Sequence, residues 1–273
     1  MKNNILIICV NYNNESDTLD FITSILKQIL SKSKKIQIII SDNSDKISVK
    51  LKKLQKKHKN IIYLKNNKNK GYFQGANSAL KLYLKRNPFP EWIIISNPDI
   101  IIEDPKFVSK LLKIKEKTII APSIISAKTK RDQNPFLVSK PSIKKLRFYK
   151  IIYNSRTFTN IYNLFHILKS KLLNKKKEKK QIYAPHGSFI IINNSFFKNK
   201  GHLNYKSFLF GEEIFLAEEA KKAKIRIIYN PDLKVIHKQN SSVFKLKNKH
   251  QYLRESLLKN LYLQNERKLL GDL

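Results

Sequence analysis

The sequence predicts an α/β fold built on a mostly parallel sheet flanked by helices, and three observations predict it. Short isoleucine-rich runs alternate with longer stretches of helical periodicity through the first half, the pattern of successive βαβ units. Each run ends in polar residues, which gathers loops at one sheet edge, where open α/β sheets bind their ligands. The chain has 273 residues, 41% of them hydrophobic, enough to bury a core in one large domain.

The elements follow in order. "ILIICV" (5–10) reads as a first strand, and Ser16 to Leu30 as a helix capped by Ser16, with Leu19, Ile22, Ile25, Leu26 and Ile29 at helical spacing. "IQIII" (36–40) is a second strand that runs into Ser41-Asp42-Asn43-Ser44, followed by a helix from Val49 to His58. "IIYL" (61–64) is a third strand, Tyr72 to Leu84 a third helix, and "WIIIS" (92–96) a fourth strand. The second half is less regular. Residues 128–181 carry scattered Lys, Pro and aromatic residues with one helix near 157–174, and read as a variable basic insertion or acceptor-side region. "YAPHGSFIIINNSFF" (183–197) is a strand entering a turn, "FLFGEEIFLAEEAKKAK" (208–224) a helix, and "IRIIYNP" and "KVIHK" two further short strands. Residues 1–245 then make the main domain. Residues 246–273 make a C-terminal helical extension, with its helix at 249–270.

Composition limits the function classes. Lys and Arg number 55 against 20 Asp and Glu, a formal charge of +35. That balance attracts polyanions such as nucleic acid, an anionic membrane surface or phosphorylated substrates. The same excess is spread along the chain beside abundant Asn and Ile, as a general compositional bias would leave it, with a local concentration in "KSKLLNKKKEKKQ" (169–181). No stretch approaches the roughly 20 apolar residues that span a bilayer, and the apolar run after Met1-Lys2-Asn3-Asn4 is too short for a signal peptide, so a cytoplasmic protein is expected. Cys9 stands alone in an apolar strand and reads as a buried, inert thiol.

The absent motifs exclude several enzymes. There is no G-x-x-x-x-G-K-[ST] phosphate loop, and Gly71 and Gly75 in "NKGYFQGAN" do not make a dinucleotide fingerprint. No nucleophile elbow or two-histidine zinc helix appears. The polar residues at the strand ends carry what chemistry there is. In "WIIISNPDIIIED" (92–104) an apolar run breaks around Pro98 to present Ser96, Asn97 and Asp99. Asn-Pro-Asp is ordinary turn chemistry. It also places a carboxylate where a divalent cation would join protein to phosphate, since Mg²⁺ and Mn²⁺ bind through a carboxylate or two plus phosphate oxygens. Asp42 at the second strand's end is either an Asx-turn residue or an acceptor for a base or ribose. His237 in "KVIHKQNSS" is either structural or part of a cation's shell. Glu212-Glu213 suits a helix N-terminus, where the dipole favours carboxylates, and equally suits general-base activation of a hydroxyl.

Seven segments together carry a resemblance: "ILIICVNYNNES", "IIISDNSD", "NKGYFQGANSAL", "IIISNPDIIIED", "APHGSFIIINNSFF", "FLFGEEIFLAEEAKKAK" and "YNPDLKVIHKQNSS". In this order, over roughly residues 5–240, they resemble the family 2 glycosyltransferases, in particular the bacterial rhamnosyltransferase-like branch. The resemblance implies a GT-A fold and an inverting transfer of a sugar from a nucleotide-diphosphate donor, UDP- or dTDP-linked and in this branch dTDP-rhamnose, to a saccharide hydroxyl in surface polysaccharide synthesis. It implies that Asn11, Tyr12, Glu15 and Asp42 hold the nucleoside, that Gly71 to Asn77 lie near the nucleotide, and that Asn97-Pro98-Asp99 is the family's D-x-D site with its last acid kept. Asp99 and His237 become the ligands of a Mn²⁺ or Mg²⁺ ion. Glu213 becomes the base by position, beside Glu212 in a pair that is usually Glu-Asp. The basic surface then fits a lipid-linked acceptor at an anionic membrane face, with no specific nucleic acid. Two other readings compete with this one: a non-enzymatic polyanion-binding protein, and a sugar nucleotidyltransferase, which would want a glycine-rich loop where Asn11-Tyr12-Asn13-Asn14 stands.

Overall fold

The computed structural model describes residues 5–29, 35–142, 144, 145, 148, 152 and 178–239. The helix expected near 157–174, most of the basic run 169–181 and the tail 246–273 lie outside the described residues. The strands are β1 (Ile5–Asn11), β2 (Ile36–Asp42), β3 (Ile61–Lys65), β4 (Trp92–Ser96), β5 (Ile100–Ile101), β6 (Ile119–Ser126), β7 (Lys180–Ile182), β8 (Phe189–Asn193) and β9 (Ile227–His237). The helices are α1 (Glu15–Leu26), α2 (Val49–Lys57), α3 (Tyr72–Leu84), α4 (Phe107–Leu112), α5 (Ser195–Lys198) and α6 (Glu212–Lys222).

One sheet runs in the order β3-β2-β1-β4-β8-β6-β9-β5, with β7 also on β9. The parallel half is the one the alternating pattern predicts: β1 pairs in parallel with both β2 and β4, and β2 with β3. Beyond β4 the sheet is mixed. β8 is antiparallel to both β4 and β6, while β6 and β9 run parallel. Apolar runs without alternation follow from burial on both faces. Leu6, Ile8 and Val10 join a core with Phe73, Ala76 and Leu80 of α3 and Leu216 of α6. Ile5, Ile7 and Cys9 face the opposite core, with Phe21 and Ile22 of α1 and Phe107 and Leu111 of α4. Cys9 is fully buried, and burial and the nearby Asp99 charge push its thiol up, as suits an inert thiol.

Three local differences from the sequence expectation have physical reasons. Helix α1 starts at Glu15 after Asn14, not at a Ser16 cap, because Asn11 Oδ1 accepts from Asn14 N–H (3.1 Å) and Thr18 turns back onto Asn14. It ends at Leu26, so Ile29 is 58% exposed. The two short strands near the end are one, β9, whose pairing with β6 skips from Asn230 to Lys234, so Pro231-Asp232-Leu233 is a bulge inside a continuing strand.

The far half of the sheet must curl. In a flat sheet β4 and β5 would lie about 19 Å apart, at about 4.8 Å per strand. The four steps from Ser96 to Ile100 reach at most roughly 14 Å. Curling brings β5 and the end of β9 back toward β4, with Ile100 paired to His237. Asn97-Pro98-Asp99 is the link that makes this crossing. No helix among the described residues is long and apolar enough to cross a membrane.

Candidate active site

The carboxyl ends of β1 and β2 lie side by side, with Asn11 in register with Asp42. Asn11 Nδ2 donates to Asp42 Oδ1 (2.9 Å), as do Ser44 N–H (3.0 Å) and the Ser44 hydroxyl, while the Tyr63 hydroxyl donates to Oδ2. Asp42 is thus buried with its carboxylate held in one orientation by its neighbours. Lys65 Nζ donates to the carbonyls of Ser44 and Asn66 beside it. Tyr12 is half-buried next to Asn11. Glu15 points elsewhere: it accepts from the Ser48 hydroxyl and pairs with Lys50 at 3.1 Å, contacts that hold its carboxyl below the usual range. It tethers the start of α1 to α2 and does not join the Asn11–Asp42 cluster.

Gly71 caps α3 at φ +77°, and its carbonyl accepts from Asn43 Nδ2 (2.9 Å). A Cβ there would stand 1.9 Å from the Phe208 carbonyl oxygen, so the segment before α6 lies directly on the start of α3. Asn77 is half-buried further along α3.

At the end of β4, Asn97 N–H donates to the Ser188 carbonyl (2.8 Å). Asp99 is fully buried, and neither carboxylate oxygen has a hydrogen-bond partner. His237 Nε2 stands 3.3 Å from Asp99 Oδ2. His237 Nδ1 donates to Gln133 Oε1 (2.6 Å), which leaves the Nε2 side facing Asp99. A buried carboxylate without donors is costly. A cation between Asp99 and His237 satisfies both, so these residues fit a divalent ion. No cluster of three or more His, Cys, Asp or Glu suited to a metal exists among the described residues, so phosphate oxygens and water would supply the rest of the shell.

Glu212 and Glu213 open α6. Burial first, and the Glu213 charge second, push Glu212 up to about 8, so it holds a proton at neutral pH. Burial raises Glu213 too, against N–H groups of its own residue, Gly187 and Gly211 that favour its charged form. Both carboxyls are thus raised, Glu212 to about 8, and the surrounding N–H groups oppose the rise at Glu213. Gly187 links the two halves of the site. Its N–H serves Glu213, while the preceding His186 sets its ring edge-on to His237, centroids 5.9 Å apart. Ser188 N–H donates to His186 Nδ1 (3.2 Å), placing the ring proton on Nε2, and burial followed by the His237 charge lowers its pKa to about 3.

Sequence reasoning missed Gln133, Asn134 and His186, and did not single out Tyr72 within the Gly71–Asn77 segment. Gln133 and Asn134 fall in the stretch read as a variable insertion, yet they anchor His237 and the His186 N–H (2.8 Å). Only "APHGSF" offered a signal, a histidine before a glycine at a strand start.

This arrangement sits on a known architecture, the GT-A fold of glycosyltransferases. GalNAc-T7, solved with UDP, GalNAc and Mn²⁺, matches with a TM-score of 0.60 at 14% identity, over 88% of this chain and 44% of its own. The mannosyltransferase PcManGT of Pyrobaculum calidifontis, solved with GDP-Man and Mn²⁺, matches with 0.53 at 14%, over 90% and 60%. S. aureus TarS 1–349 in complex with UDP-GlcNAc matches with 0.54 at 16%, over 89% and 60%. This chain spans less than two thirds of each of those solved chains.

Residues 6–199 match glycosyl transferase family 2, and the chain belongs to that family. The low-salt glycan biosynthesis hexosyltransferase Agl10 of Haloferax volcanii is 26% identical over 242 residues, 88% of this chain and 68% of that protein.

Proposed function

We propose that this chain is an inverting glycosyltransferase that moves a sugar from a UDP- or dTDP-linked donor, dTDP-rhamnose in the rhamnosyltransferase-like reading, to a hydroxyl of a saccharide acceptor in surface polysaccharide synthesis. The observation that carries the proposal is Asp99, fully buried with both oxygens unpartnered and facing His237. A crevice built for a neutral ligand would not leave a bare carboxylate there. The solved relatives with UDP-GlcNAc, GDP-Man and Mn²⁺ support a nucleotide-sugar donor and a divalent cation.

Asn11, Tyr12 and Asp42 hold the nucleoside end, with Gly71 and Asn77 beside the nucleotide and Asn97 beside the diphosphate. Asp99 and His237 hold Mn²⁺ or Mg²⁺, which when bound neutralises charge on the departing diphosphate. Gln133 fixes the His237 ring so that Nε2 serves that ion. Glu213 takes the proton from the acceptor hydroxyl as its oxygen bonds to the anomeric carbon, and the bond to the diphosphate breaks with its electron pair leaving on phosphate oxygen. Attack opposite the leaving group inverts the anomeric centre once. Glu212 stays protonated and donates a hydrogen bond at the same end.

The +35 charge fits an acceptor carried on a lipid diphosphate at an anionic membrane face, a contact that flotation with anionic liposomes at low salt would report. The polyanion-binding alternative rests on charge alone and leaves Asp99 without a role.

The test is calorimetry with UDP, dTDP, GDP and CMP, each with and without Mn²⁺ or Mg²⁺, on wild type and Asp99→Ala. Metal-dependent binding of one diphosphate, reduced tenfold or more in the variant, is expected. Binding of none by wild type, or retained anomeric configuration in the product, would overturn the reading.

A further inference from the structure

Among the described residues, buried side-chain atoms without a hydrogen-bond partner fall in two places. Trp92 and Ser195 lie at the amino end of β4, where Trp92 pairs with Asn193. The others, on Tyr72, Asp99, Ser207 and His237, gather at the carboxyl edge, around the crevice. A cation accounts for Asp99 and His237. It does not account for the Tyr72 hydroxyl, which is a hydrogen-bond donor.

Tyr72 is the first residue of α3, directly after Gly71, on which the Phe208 carbonyl rests. The segment from Phe208 leads within a few residues to Glu212 and Glu213, so the phenol stands beneath the approach to the acid pair. Its ring is braced against Phe73, centroids 5.7 Å apart. Burial first, then Glu212, Cys9, Glu213 and Asp99 in that order, hold this phenol well above its usual range, in keeping with a place between the acid pair and the end of β1. The Asn11–Asp42 cluster adjoins the same helix start through Asn43, whose Nδ2 donates to the Gly71 carbonyl (2.9 Å).

We propose that the Tyr72 hydroxyl is a specificity-determining contact to the transferred sugar, donating a hydrogen bond to a sugar hydroxyl oxygen. The inference rests on the nucleotide-sugar reading above. A sugar hydroxyl is the partner that suits both neighbours: its oxygen accepts from Tyr72 while its proton goes to a carboxylate. A phosphate oxygen accepts only, and beside the acid pair it would meet like charge. The site also departs from the rule that buried hydroxyls are paired, as a position waiting for a ligand does.

The experiment is titration calorimetry in Mn²⁺ on wild type and Tyr72→Phe. The probes are UDP-GlcNAc, UDP-glucose and dTDP-rhamnose beside UDP and dTDP, and the melting temperature of each unliganded protein is measured. For the sugar nucleotide that wild type binds, the variant should bind about 5- to 30-fold more weakly, the range of one lost hydrogen bond. Its affinity for the matching diphosphate should stay within about twofold, the spread of two titrations of one site. Its unliganded melting temperature should equal or exceed wild type, because removing an unpartnered buried hydroxyl costs nothing. Unchanged sugar-nucleotide affinity, equal loss for the bare diphosphate, or a lowered melting temperature would each overturn the assignment. If wild type bound no probe, the nucleotide-sugar reading would fail and this inference with it, an outcome distinct from binding that Tyr72→Phe leaves intact.

Discussion

Replacing Glu212 with Gln tests the division of labour in the acid pair. Glu212 is 6% exposed, and its carboxyl is raised from 4.5 to about 8 by burial and by Glu213. The folded protein therefore binds a proton there that the unfolded chain has released, so stability is fully present below pH 4.5, declines as pH rises, and is lost by about pH 8. At about 1.4 kcal/mol per pH unit the whole interval is worth at most roughly 5 kcal/mol. Glu213 shares the titration, so about 2–4 kcal/mol is expected from this position. Glutamine keeps the size and cannot ionise. Urea denaturation of wild type and Glu212→Gln from pH 5 to 9 should show the variant gaining that amount over wild type as pH rises, with every titrating group except the coupled Glu213 cancelling in the difference. Parallel curves would refute the argument, because they would mean that Glu212 is ionised and accommodated throughout.

Two glycines give further tests. Gly187→Ala would place a Cβ 2.7 Å from Glu213 Oε1, the end of a flexible side chain, so the carboxylate should shift by a few tenths of an ångström. With Glu213 as the proposed base, we expect kcat to fall by about 10- to 100-fold with little change in melting temperature, since misplacing that carboxylate costs rate before stability. Gly71→Ala meets a backbone carbonyl at 1.9 Å and a φ of +77°. It should destabilise the fold by about 2 kcal/mol or more in denaturant unfolding.

The parallel half of the sheet was legible because burial on both faces writes uninterrupted apolar runs, and α3 was legible to its ends, Tyr72 and Leu84. The continuity of β9 was not. Asn230-Pro231-Asp232 carries turn chemistry, and only the pairing of Lys234 to His237 with β6 shows that the strand resumes beyond it. Asp99 and His237 were readable as strand-end residues, and the curl of the sheet that brings them to 3.3 Å was not. Glu15 differs: the family resemblance set it with the nucleoside, while its side chain lies against Ser48 and Lys50 from the next crossover, partners that no pattern around Glu15 announces. Gln133 carried no local pattern and His186 only its place before Gly187, because their significance lies in the His237 ring nitrogen and the Asn134 amide they meet across the fold.

The position of β8 bears on how the chain assembles. β1 to β4 can pair from residues 5–96 alone, each new strand docking beside one already made. β6 cannot continue that sheet when it emerges, because its place is two strands out and β8, some sixty residues later, must first lie against β4. Loop-closure entropy is thus concentrated in the second half. The Asn11–Asp42 end of the crevice belongs to the early half, and the Asp99–His237 pair closes only when the last described strand arrives. On the proposed assignment, a ribosome-bound chain would acquire its shelf for a base well before it could grip a diphosphate.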